Sequence, residues 1–118
     1  MLEQNVSQGK TTIAADVIET IARLTTVSIP GVSRMSRIPA PIFKSLFRRG
    51  QIDQGVVVDV TEDTVSADLY VILNRDVNIQ EVSRNVQAEV ARALSEMIGM
   101  RVGSINIHVE DIDYLKTE

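Results

Sequence analysis

The sequence predicts an α+β fold: a two-layer sandwich with a three- to four-stranded mixed or antiparallel sheet and two main helices on one face. Three observations carry this. Two segments repeat apolar residues at three- and four-residue steps, the period of a helix with one buried side. Two other segments alternate apolar and polar residues, the period of a half-buried strand. The connections between them are short, with no internal repeat, low-complexity tract or linker long enough to divide the chain of 118 residues. That length suits one domain. Residues 1–10 read as a flexible N-terminal lead-in, 11–113 as a single domain and 114–118 as a C-terminal tail.

The first helix is written in "TTIAADVIETIARLTTVSIPG", where Val17, Ile21 and Leu24 fall at i, i+4, i+7 and Ile18 and Ala22 widen the stripe. Asp16 and Glu19 stand in its early turns, where the helix dipole favours acids. Pro30 and Gly31 end it. A short strand is predicted over 32–36, "VSRMS". Pro39 and Pro41 hold "RIPAP" extended. "IFKSLFRR" then sets Phe43 and Phe47 four apart with Lys44, Arg48 and Arg49 beside them, which predicts one or two turns of amphipathic helix closed by Gly50.

A hairpin follows, with "VVVDV", a "TEDT" turn and "VSADLYVIL". In the last, Val65, Ala67, Leu69, Val71 and Leu73 share one face, predicted inward, and Ser66, Asp68, Tyr70 and Ile72 the other. The second helix opens at Asn78, an N-cap with Glu81 three residues on. It runs along Ile79, Val82, Val86, Val90, Leu94 and Met97 to a glycine cap at Gly99. "VGSINIHVEDID" is the last strand, with Ile105, Ile107 and Val109 on one face and Asn106 and His108 on the other. The acidic tail "EDIDYLKTE" is predicted to fray.

Composition narrows the function. Hydrophobic residues make up 44% of the chain and aromatics 3%, so the core must be aliphatic. The net charge of −4 argues against a general nucleic-acid binder, which needs a basic surface to neutralise phosphates. There is no cysteine, which removes disulfides, thiolate metal sites and a cysteine nucleophile. No apolar run reaches a bilayer-spanning length and the first residues lack a signal-peptide layout. A cytoplasmic protein is expected; to work at a membrane it would have to be held there by something else or by a surface segment.

The chemical motifs are weak. "QGKTT" resembles the end of a P-loop, but Gln4 stands where the motif needs its first glycine. His108 is the sole histidine, without companions at ligand spacing, and reads as an outward strand residue. Asp59, Asp63 and Asp68 lie on or near the hairpin and read as solubilising charges rather than an acid–base pair. No catalytic, cofactor-binding or metal residues are assigned; no enzyme activity and no cofactor are expected.

The one asymmetry is the segment 33–50, "SRMSRIPAPIFKSLFRRG": both phenylalanines, and Arg34, Arg37, Lys44, Arg48 and Arg49 with no acid among them. It could connect elements, face an anionic membrane, grip nucleic acid or dock a protein. Docking leads among the functional readings, through Arg34, Arg37, Ile42, Phe43, Lys44, Phe47, Arg48 and Arg49. The alternative is a small RNA- or DNA-binding regulatory module using the same segment. It is disfavoured because the GXXG clamp of a KH domain is missing; "GMRVG" has one residue too many.

"GVVVDVTEDTVSADLYVIL", followed by "VNIQEVSRNVQAEVARALSEMIGMRVGSINIHVEDI", resembles the alkaline shock protein family, also called the envelope stress response family, of Gram-positive and related bacteria. "IPGVSRMS" is similar to the family's first block. The likeness spans residues 10–113, with Gly55, Asp68, Asn78, Gln87, Gly99 and Asn106 at the family's recurrent positions. It implies a non-enzymatic cytoplasmic protein of envelope homeostasis and stress response. Such a protein acts by self-association as a homo-oligomer or through a membrane-anchored envelope partner. One departure stands out. The loop after the Gly-Val turn is usually glycine-rich in the family, and here it reads "RIPAPIFKSLFRR".

Overall fold

A computed structural model describes residues 13–39 and 54–114. Its elements are α1 (Ala15–Val27), β1 (Val32–Met35), β2 (Val56–Thr61), β3 (Thr64–Asn74), α2 (Ile79–Ile98) and β4 (Arg101–Asp113). The four strands form one mixed sheet. β1 and β2 run antiparallel to β3, and β4 runs parallel to it. The parallel pair is joined through α2, as a parallel connection requires. Both helices cover one face, so the predicted two-layer α+β sandwich is the architecture found.

β3 is central. β4 pairs with it along its whole length on one side, from Thr64↔Arg101 to Asn74↔Asp113. β1 and β2 therefore share the other side, end to end. β1 pairs Met35 with Val71, and β2 pairs Val56 with Leu69. Tyr70 lies between these pairs. Its carbonyl accepts from Ser36 N at 2.7 Å, and its N–H donates to Gly55 O at 2.8 Å. In an uninterrupted antiparallel strand one residue would make both bonds. Ser36 and Gly55 thus divide one ladder position, and β1 and β2 are a single edge strand opened at Tyr70. Residues 37–54 leave and re-enter there.

The junction explains Gly55. Its φ is +80°, and a Cβ would stand 2.7 Å from Ser36 O and 2.8 Å from Tyr70 O. Both neighbours are backbone carbonyl oxygens, and that of Tyr70 is fixed by its bond from Ser36 N.

The core follows β3's period. Val65, Ala67, Leu69, Val71 and Leu73 are all buried against the helices. α2 contributes Val82, Val86, Val90 and Leu94. Its ends depart from the predicted stripe, since Ile79 is 45% and Met97 71% exposed. The Asn78 side chain accepts from Glu81 N at 2.9 Å, and Gly99 caps the far end at φ +78°. α1 is rotated from the predicted stripe. Ile18, Ala22 and Thr26 are buried, while Val17 and Leu24 are about half exposed. Thr26 can take a core position because its hydroxyl donates to Ala22 O at 2.7 Å, so no polar group is stranded. β4 continues to Asp113 rather than fraying, because Asp113 is tied to β1.

Candidate interaction surface

The sheet face opposite the helices is built by the outward residues of β3 and β4. Asp68 is its hub. Its Oδ1 accepts from Asn106 Nδ2 at 3.1 Å and lies 3.0 Å from His108 Nε2. The parallel register Asp68↔Asn106 and Tyr70↔His108 makes these neighbours. The His108 ring stacks on Tyr70, with centroids 4.4 Å apart and planes 11° apart. The alternation of "SINIHV" thus puts Asn106 and His108 where expected, but His108 is packed and bonded rather than simply solvated.

Tyr70 is the surprise of this face. It is buried, together with Ile38, and Val57 packs against both. The chain turns onto the sheet directly after β1, and Ile38 covers the tyrosine ring. Burial raises the Tyr70 pKa above its ordinary value of 10.0, and the Asp68 and Glu110 carboxylates add to that. The sequence does hold a signal for this cluster. Val57, Tyr70 and Ile72 are large apolar or aromatic residues on a face otherwise predicted to be wet.

The docking residues read from the sequence divide in two. Arg34 is engaged within the chain. Its guanidinium donates to Asp113 Oδ2 at 2.9 Å, and the same oxygen accepts from Ser33 Oγ at 2.7 Å. This bond joins β1 to β4 across the end of β3. Arg37 is exposed beside the buried Ile38, in the stretch after β1. Ile42, Phe43, Lys44, Phe47, Arg48 and Arg49 lie outside the described residues.

On the helical face, a shallow groove between α1 and α2 is lined by Leu24, Ser28, Ala93 and Met97, with Glu89 and Glu96 bridged by Arg92. Among the described residues no group of three or more histidines and acids could hold a metal ion. No described helix is long and apolar enough to cross a membrane. Asp59 is exposed and stands opposite Ser66 in the β2–β3 register. The polar groups that meet here lie on open faces, with the basic segment rooted at the rim of one of them.

The fold and these faces define a small sheet-and-helix module that, among the described residues, offers open faces and one shallow groove. The alkaline shock protein 23 family, described as having a cell envelope-related function, matches residues 3–114. The chain belongs to that family. It is 33% identical to the uncharacterized protein Spy1614 of Streptococcus pyogenes serotype M6 over 110 residues, covering 92% of this chain and 91% of that one. It is 30% identical to the uncharacterized protein YqhY of Bacillus subtilis over 114 residues, 97% of this chain and 84% of that one. Among solved structures, the copper form of the MamM CTD superposes with a TM-score of 0.53 at 12% identity, over 88% of this chain and 92% of that one. At that identity the likeness concerns the fold alone.

Proposed function

We propose that this protein is a non-enzymatic interaction module of the cell envelope, working through self-association and contact with a membrane-anchored partner at the inner face of the membrane. The observation that carries the reading is the divided edge strand. Ser36 and Gly55 hold the two ends of residues 37–54 at a single ladder position, so a rigid sheet roots the most basic and aromatic stretch of the chain at one point. Recognition residues concentrate on segments rooted in this way. Phenylalanine and arginine are residues that interfaces favour. The envelope role of the family supports the setting.

The test is capture of partners from the membrane fraction of the native cell by the immobilised protein. Phe43→Ala with Phe47→Ala should abolish specific capture, because buried aromatic anchors dominate docking energy. Arg48→Glu with Arg49→Glu should weaken it less. The opposite order, with steeply salt-dependent binding of a labelled RNA, would favour the nucleic-acid alternative.

A further inference from the structure

β4 has β3 on one side and no strand on the other among the described residues. In a parallel ladder, alternate residues turn both backbone groups toward the neighbouring strand, and those between turn both away. Two bonds identify which is which. Arg101 N donates toward β3, to Asp63 O. The register slips between Val65↔Val102 and Ala67↔Ile105, and beyond it Ser104 N faces β3, bonded to Ser66 Oγ. Ile105, Ile107 and Val109 therefore turn their N–H and C=O to the open edge. A second slip, at Glu110, reverses the parity again and leaves Ile112 facing out.

Both ends of this edge are closed by side chains. Gln87 Nε2, from α2, donates to Ile105 O at 2.9 Å. Ile112 N donates to the Oδ1 of its neighbour Asp111 at 2.8 Å. Between these caps, the N–H and C=O of Ile107 and Val109 turn outward with no strand partner among the described residues. Unguarded edges invite pairing, and bulges and caps restrict it.

We infer that the Ile107–Val109 window of β4 is a self-association surface that pairs antiparallel with the same window of a second copy. The window is self-complementary about a two-fold axis at His108. Ile107 then stands opposite Val109 of the second copy and exchanges both backbone bonds with it, and the reciprocal pair does the same. On the helix side, Ile107 and Val109 are only half-buried and would be covered. No like charges meet, because Glu110 falls opposite Asn106. The caps set the register, since a longer ladder would have to displace Gln87. This contact rests on the interaction-module reading but uses different residues. Phe43→Ala with Phe47→Ala should leave it intact, so the two ideas fail separately.

The chain has no cysteine, which permits a clean test. In the proposed pair the two His108 residues form a non-hydrogen-bonded pair, Cα atoms about 4.5 Å apart, within disulfide range. Oxidised His108→Cys should give covalent dimer far faster than an exposed control, Arg84→Cys. Val109→Pro removes an N–H that faces the open edge and no bond to β3, so it should fold and weaken dimerisation at least about tenfold in sedimentation. If that variant fails to fold, Gln87→Ala decides: freeing Ile105 O should strengthen the dimer. A strict monomer up to about 1 mM, cross-linking no faster than the control, or dimerisation indifferent to these variants would overturn the inference. So would a β4 edge that pairs only with foreign extended peptides.

Discussion

Two glycines with nearly the same backbone conformation show how much surroundings decide. Gly55 and Gly99 sit at φ +80° and +78°. At Gly99 a Cβ would meet nothing within 4 Å, so Gly99→Ala should cost only the left-handed strain, about 1–2 kcal/mol. At Gly55 the same strain adds to two contacts under 3 Å with backbone carbonyls, and Gly55→Ala should cost about 3–5 kcal/mol. Chemical denaturation of the two variants checks the order. Tyr70 makes a second residue-scale prediction. Its hydroxyl is held neutral in the fold by burial and by Asp68 and Glu110. A pKa raised by folding contributes stability that is intact below the unfolded value of 10.0. That contribution is lost as the pH climbs through the higher folded value. Ultraviolet titration in a Tyr114→Phe background should show Tyr70 ionising above the free phenol. Tyr70→Phe should flatten the fall in stability at alkaline pH.

At the scale of elements, α2 is the part whose local chemistry and tertiary role agree. Asn78→Ala should cost about 1 kcal/mol, the usual loss of an N-cap, since the side chain holds only Glu81 N. Leu94→Ala, at a fully buried position, should cost about 3 kcal/mol through the cavity it leaves. Thermal unfolding of both variants tests the contrast. This helix is legible in the sequence. Val82, Val86, Val90 and Leu94, the cap and the terminal glycine are all written in the spacing. α1 is less legible. Its apolar stripe is broad, and the choice of Ile18, Ala22 and Thr26 for the centre of the buried side, with Ile21 at its margin and Val17 and Leu24 exposed, depends on which side meets the sheet. A threonine at the core position hides that choice, because only its bond to Ala22 O makes it compatible with burial.

At the scale of the molecule, the divided edge strand makes the boldest prediction. Because Ser36 and Gly55 share the ladder position opposite Tyr70, replacing residues 36–55 by one residue should yield a continuous edge strand. The shortened chain should fold, losing about 1–2 kcal/mol as Ile38 no longer covers Tyr70. It should lose membrane-partner capture. A chain that fails to fold, by circular dichroism and denaturation, would show that the edge strand is not interchangeable with an uninterrupted one. The Arg34–Asp113 bond bears on assembly as well. The charge pattern of the sequence suggests that the basic segment of one copy meets the acidic tail of another, whereas Arg34 and Asp113 meet within one chain.

The local pattern alone established the periods, the caps, the hairpin and the inward face of β3, because each depends on residues within a turn or two of one another. The family resemblance adds the recurrent positions. Gly55 stands at the junction, Asp68 and Asn106 bond each other, Asn78 and Gly99 cap α2, and Gln87 donates to Ile105 O of β4. Their jobs are not legible, because each partner but those of the caps lies far away in the chain. Tertiary structure decided that β1 and β2 are one strand, that Tyr70 is covered, and which way α1 faces. It also decided which backbone groups of β4 turn away from β3. Those outcomes follow from register and from which of two surfaces another element happens to cover, and neither is encoded in the spacing of any single segment.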